Sequence, residues 1–290
     1  MKAETLLESR AVLGEGPVWD ERRAVLYWVD IDGKKLHQYT PLDGKDRVMN
    51  MEQRPSAVFL TGGSDILLAL EDGIHRLRPD GTSEVFAYTP EKDIAESRLN
   101  DGKCDSRGRI WVGSMDMCCR AGQGALYRIG KDGQCSRMLD KVTISNGLCW
   151  SPGDQYLYYI DTPSEMLWRF DFDIEKGLLS NRTGIIDYSG ERGSFDGMTI
   201  DSAGNVWIAQ WGGFQVSCWD PSTGKKLEVI EVPAPNVTCC TFGGAEMDQL
   251  FITTAAGEGG PGRDEYPHAG NVFVCRPGIT GCYTQRFGGY

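Results

Sequence analysis

A surplus of positive charge is absent from this chain: 30 lysines and arginines stand against 41 aspartates and glutamates, a formal net charge of -11. Such a surface repels phosphate backbones and anionic headgroups, so neither nucleic acid nor a membrane is an expected partner. Long apolar runs are missing too. Nothing approaches the roughly 20 residues of a membrane-spanning helix, and Met1-Lys2-Ala3-Glu4-Thr5 does not open a secretion signal. A cytoplasmic protein is expected. Histidine is scarce: His37, His75 and His268 stand far apart, no His-Glu-x-x-His pair occurs, and no Gly-x-Ser-x-Gly elbow is present, which argues against zincin and serine-triad chemistry. The ten cysteines include no Cys-x-x-Cys pair, and Cys118-Cys119 and Cys239-Cys240 are adjacent and poorly placed to bridge. Reduced, mostly buried thiols are the expectation.

What the chain does contain is a long internal repeat. An apolar strand core recurs around Trp28, Leu68, Trp111, Tyr159, Trp207 and Phe251, at intervals of 40, 43, 48, 48 and 44 residues, and these intervals define six units. A second apolar run and a turn follow most of these cores, as in Ala125 to Ile129 before Lys131-Asp132-Gly133. Short strands rich in aromatic and β-branched residues, broken by Asp-Gly and Pro-Gly turns, read as antiparallel meanders. A meander of about 45 residues is one propeller blade. The expected fold is therefore all-β: a six-bladed propeller of four-stranded antiparallel blades around a central metal-binding channel. It spans residues 1–290 as one domain, with no linker between units. Ring closure is expected from Thr5 to Val12, used as a strand of the last blade beside Cys282 to Phe287.

Four polar residues stand at the start of units one, three, four and five: Glu15, Asn100, Asn146 and Asp196, each next to glycine or one residue from it. Each precedes its core strand closely enough to lie on the innermost strand near one mouth of the channel. Taken singly, a polar residue beside glycine is a turn. In register, four acids and amides converging from separate strands make an oxygen cage suited to a hard divalent cation. Asp30-Ile31-Asp32-Gly33 looks like half of a calcium loop, but the later ligands are missing.

With these motifs in order the chain resembles the regucalcin (senescence marker protein) and gluconolactonase family of sugar lactonases. The resemblance runs from Leu13-Gly14-Glu15-Gly16-Pro17-Val18-Trp19 through Arg98 to Gly102, Gly108 to Gly113, Ile144 to Leu148, Asp196-Gly197 and Val206-Trp207. It implies one divalent ion held by Glu15, Asn146 and Asp196, with Arg98 and Asn100 facing the substrate and Asp196 doubling as general base. Calcium, zinc, magnesium, manganese and ferrous iron all remain open as the ion. Members of the family often carry a substrate-contacting acid in the loop after the third core strand. This chain reads Ser114-Met115-Asp116-Met117-Cys118-Cys119-Arg120 there, with Asp116 as the candidate.

The chemistry expected of such a site is metal-dependent hydrolysis of a sugar lactone to the sugar acid. The cation offsets charge growing on the carbonyl oxygen, and Asp196, or a metal-bound hydroxide, takes the proton of the attacking water. The partner is then a small-molecule sugar lactone. Two other readings stand beside it: a related ester or phosphotriester hydrolase on the same scaffold, and a non-catalytic divalent-metal-binding propeller.

Overall fold

The computed structural model describes residues 1–257 and 265–288. The chain opens with β1 (Glu4–Leu7) and then lays down antiparallel meanders in sequence. The first holds β2 (Gly14–Asp20), β3 (Val25–Asp30), β4 (Lys35–Thr40) and β5 (Lys45–Asn50); the second β6 (Ala57–Leu60), β7 (Ile66–Ala69), β8 (Gly73–Leu77) and β9 (Ser83–Tyr88). The third holds β10 (Ser97–Cys104), β11 (Ile110–Asp116), β12 (Gly124–Ile129) and β13 (Cys135–Val142); the fourth β14 (Ser145–Trp150), β15 (Tyr156–Asp161), β16 (Met166–Asp173) and β17 (Leu178–Asp187). Then follow β18 (Ser194–Ile200), β19 (Val206–Trp211), β20 (Gln215–Asp220) and β21 (Lys225–Glu231), and finally β22 (Asn236–Gly243), β23 (Gln249–Ala255) and β24 (Val272–Cys275).

The first four meanders are separate four-stranded sheets, whereas β18 to β21 and β22 to β24 with β1 are joined into one eight-stranded sheet. Their link is a single pair, Trp211 with Asn236. All six cores expected from the repeat are strands, each second in its run, and His37 and His75 occupy matching places in third strands, opposite Trp28 and Leu68.

Burial falls from the first strand of each run to the last. β2 and β3 are almost wholly buried, while β5 is exposed along nearly its whole length. The first strands therefore form an inner ring, and the widest side chains, Trp28, Trp111 and Trp207, are buried. The hairpin leading to each of these tryptophans is held in one way: Asp20, Asp105 and Asp201 accept backbone N–H groups two residues on, from Arg22, Arg107 and Ala203, as Asx turns. Asp105 and Asp201 also take the indole N–H of Trp111 and Trp207, at 2.8 and 2.9 Å. One carboxylate thus fixes both a turn and a core side chain.

The partner of the N-terminal strand departs from the sequence expectation. The N-terminal strand is Glu4–Leu7, and its partner is β24, through Thr5 with Phe273, not Cys282 to Phe287. Val272 and Phe273 are buried hydrophobic residues that continue the β22–β23 meander, so they supply the edge that β1 covers. The Cys282 to Phe287 segment instead crosses to other sheets: Phe287 bridges Thr61, and the buried Arg286 pairs with Asp20 at 2.7 Å and Glu21 at 2.9 Å. Among the described residues no helix is long and apolar enough to cross a membrane, and all ten cysteines are free.

Candidate active site

The expected site residues lie where the inner strands break register. The pairing shifts between Glu15 and Val18, Leu99 and Gly102, Ser145 and Leu148, and Phe195 and Met198. Such bulges release residues from strict alternation and re-aim their side chains. Asn100, Asn146 and Asp196 fall inside a shift and Glu15 at the edge of one, and all four are buried. The neighbouring glycines serve two needs. Gly16 has a φ of +52°, which favours glycine, whereas Gly147 and Gly197 permit close approach of inner strands. A Cβ at Gly147 would lie 2.6 Å from the Asp196 carbonyl oxygen, and one at Gly197 would lie 2.3 Å from Cys239 Sγ.

Two further carboxylates set the entry of the chain into these strands. Asp30, at the end of β3, accepts the amides of Val12 and Leu13 at 3.1 and 2.9 Å, just ahead of Glu15. Asp161, at the end of β15, does the same for Thr143 and Ile144, just ahead of Asn146. Asp30 also accepts from Gly33, so the apparent half calcium loop is a clamp on backbone amides.

A chain of hydrogen bonds ties the site together across three inner strands. Arg98 Nη1 donates to Asn100 Oδ1 at 2.6 Å, Asn100 Nδ2 to Asn146 Oδ1 at 3.2 Å, and Asn146 Nδ2 to Thr162 Oγ1 at 2.9 Å. Thr162 Oγ1 donates in turn to the carbonyl of Phe195, the residue before Asp196, at 2.9 Å. Asp196 accepts from the Asn146 amide and feels the charges of Glu15, Asp101 and Arg98. Glu15, Asn146, Asp196, Arg98 and Asn100 are therefore brought to one place.

That place is electrostatically unbalanced. Burial, and then the neighbouring Asp101, push the Glu15 carboxyl up to about 8. Burial, Glu15 and Asp101 push Asp196 well above the carboxylate range. Among the described residues the Glu15 carboxylate accepts one hydrogen bond, from Gly16 N at 2.9 Å. Arg98 lies near, but among the described residues its guanidinium donates to Leu99 O and Asn100 Oδ1. Two buried acids on separate strands, beside an amide oxygen, fit a divalent cation, whose charge would offset theirs. Among the described residues no three His, Cys, Asp or Glu side chains are set around one ion point, so the donor set rests on two carboxylates and Asn146.

The pH dependence of stability reads this imbalance. A carboxyl whose folded pKa is raised holds its proton in the folded state from about pH 4.5 to about 8, so its stabilising share is lost as pH rises through that window. Metal-stripped protein should accordingly lose ground to metal-loaded protein between pH 5 and 8, read as a widening gap between their urea midpoints. A gap that narrows would contradict the assignment of the ion to these acids.

Sequence reasoning did not assign roles to two further charged residues here, Asp101 and Lys103. Asp101 takes Gly102 N on Oδ1 at 2.7 Å, while its buried Oδ2 has no hydrogen-bond partner among the described residues. Burial raises the Asp101 carboxyl; it works against the Lys103 ammonium, but Asp101 and nearby thiols outweigh it and the lysine is raised. Together with Phe59, Cys149 and Tyr283, both line a cavity of about 220 Å³ whose lining does not include Glu15, Asn146 or Asp196. The signal was a lysine inside an otherwise buried inner strand. Asp116, the candidate for a substrate-contacting acid, is engaged elsewhere. It accepts from Cys118 N, Arg120 N and the Arg120 guanidinium, and so shapes its own loop.

Residues 13–256 match the family described as SMP-30/Gluconolactonase/LRE-like region. The chain belongs to this family. It is 38% identical over 293 residues to YvrE of Bacillus subtilis (strain 168), provisionally named a sugar lactone lactonase, covering 100% of this chain and 99% of that protein. It is 33% identical over 296 residues to rabbit (Oryctolagus cuniculus) regucalcin, covering 100% of this chain and 99% of that one. Among solved structures, the calcium-binding protein regucalcin of Agrobacterium tumefaciens superposes with a TM-score of 0.93 at 27% identity, over 99% of this chain and 97% of that one. A gluconolactonase of Xanthomonas campestris superposes with a TM-score of 0.74 at 25% identity, over 94% and 88%.

Proposed function

We propose that this protein is a metal-dependent lactonase that opens a sugar (aldono-)lactone to the sugar acid, on a single six-bladed propeller domain spanning residues 1–290. For the blade count, the support is that the eight-stranded sheet is two four-stranded runs joined by one residue pair. For the activity, the observation that carries the reading is the pair of buried acids, Glu15 and Asp196, on different inner strands with Arg98 beside them. Family membership points to the same chemistry.

A divalent ion held by Glu15, Asn146 and Asp196 would polarise the lactone carbonyl and offset the charge that grows on its oxygen. The chain's own residues do the rest. Asp196 takes a proton from water as the water oxygen bonds to the carbonyl carbon. The tetrahedral species collapses, the bond from carbonyl carbon to ring oxygen breaks, and Asp196 returns its proton to the ring oxygen, leaving a hydroxy acid. Arg98 and Asn100 orient the ring through its hydroxyls. Two carboxylates against a doubly charged ion leave a pocket near neutrality, suited to an uncharged sugar lactone.

The test is a pH-drop assay on aldonolactones beside an aryl ester and a phosphotriester. Hydrolysis of the lactones in preference to the other two is the expected result; preference for the phosphotriester would transfer the site to the related hydrolase class, and inertness toward all three would leave the site as a cation binder. Arg98→Ala should weaken kcat/KM on the lactone by about tenfold or more, as for loss of a charged hydrogen bond. Bound metal, measured by elemental analysis, should stay at the parent level; its loss would put Arg98 in the wrong role.

A further inference from the structure

The mouth that holds Glu15 and Asp196 has a second polar cluster on its rim. Arg54 lies in the connection from β5 to β6, Asp32 follows β3, and Glu71 follows β7. All three sit at the end of their sheets where Gly14 pairs with Asp30 and where Ala57 pairs with Ala69, the end at which the inner strands carry the acids. Arg54 Nε donates to Asp32 Oδ1 at 3.0 Å, and Arg54 Nη1 donates to Glu71 Oε1 at 2.9 Å.

The segment carrying Arg54 is fixed on both sides. Met51 N donates to Lys34 O at 2.8 Å, and the Gln53 side-chain oxygen accepts from Glu71 N at 3.1 Å. Pro55 bars Arg54 from helical backbone. Asp32 and Arg54 lie within electrostatic reach of the buried Arg98 guanidinium, the arginine assigned to substrate.

Stability is a weak reason for such an arrangement. The side chains of Arg54, Asp32 and Glu71 are 30%, 33% and 29% exposed, and ion pairs between groups this open contribute about 0–1 kcal/mol. What the pairs do is hold one guanidinium between two carboxylates. Among the described residues Arg54 Nη2, Asp32 Oδ2 and Glu71 Oε2 make no hydrogen bond. A donor flanked by acceptors, all partly open to the mouth, is the complement of neighbouring hydroxyls, each of which both donates and accepts.

We propose that Asp32, Arg54 and Glu71 form a second substrate subsite, one that reads the hydroxyl groups of the lactone remote from its carbonyl. The two acids balance Arg54 and Arg98, so the subsite selects an uncharged polyol over a lactone bearing a carboxylate. This rests on the lactonase reading and gives it a substrate class.

The experiment uses the metal-loaded full chain and a graded series of lactones of one ring size, from fully hydroxylated to unsubstituted. In the parent, kcat/KM should rise with hydroxyl number. In Arg54→Gln and in Glu71→Gln the advantage of the fully hydroxylated lactone over the least hydroxylated one turned over should shrink by about tenfold or more, chiefly through KM, as for loss of a charged hydrogen bond. Metal content should be that of the parent. Two variants are used so that a folding failure in one leaves the other to decide. An unchanged advantage in the folded variants would overturn the subsite, whether or not overall activity fell. A parent that hydrolyses none of the series would overturn the lactonase reading itself, and the subsite with it.

Discussion

Asp196→Asn should lower turnover by at least about a hundredfold at saturating metal, the lower end for removing a general base. The substitution keeps the size of the side chain and one oxygen donor, so what it removes is charge and basicity. Asp196 lies within the bulge of β18, is buried, accepts from Asn146, and has the Arg98 guanidinium near it. Glu15 is the control. It shares the burial and the raised carboxyl but has no assigned proton to move, so Glu15→Gln should weaken metal affinity and recover much of its activity when metal is raised. Kinetics across a metal titration separate the two. Should Asp196→Asn also return to near the parent rate at saturating metal, Asp196 is a ligand alone and the water is activated without a side-chain base.

Removal of residues 1–7 should abolish the folded monomer or lower its stability by several kcal/mol, a large share of the roughly 5–15 kcal/mol that holds a domain together. The segment does two things at once. β1 covers the edge of β24, and ahead of it Ala3 N donates to Glu231 O while Glu231 N donates to Met1 O, so the same seven residues strap β24 to the end of β21. Without them the buried Val272 and Phe273 lie on an open edge, which invites pairing with another chain. Urea unfolding and size-exclusion chromatography of the truncated chain read both effects. A truncated protein that remains monomeric and unfolds at the parent midpoint would show that the closure lies elsewhere.

Much of the fold was legible because the repeat is written in hydrophobic residues: strand cores at Trp28, Trp111 and Trp207 must be buried wherever they occur. The site was legible for a different reason. Buried acids and amides in inner strands are costly unless they serve something, so Glu15, Asn100, Asn146 and Asp196 stood out against their apolar neighbours. The sequence signal was weaker where long-range pairing decides. Nothing local distinguishes Val272–Cys275 from Cys282–Phe287 as the partner of the N-terminal strand; the choice follows from which run continues the β22–β23 meander. The bulges were equally hidden, since a register shift depends on the facing strand, and with them went the inward turn of Asp101 beside Asn100. Asp116 looked available in sequence because its partner, Arg120, closes a local turn only when the loop is folded.

The central claim is that one divalent ion held by Glu15, Asn146 and Asp196 supports lactone hydrolysis. Its most direct test is a metal titration of stripped protein, with aldonolactone turnover and bound metal measured on the same samples. Turnover should be lost on stripping and return in proportion to bound metal, reaching its plateau at one ion per chain. Stripped protein, free of metal by elemental analysis, that opens the lactone at the parent rate would contradict the account.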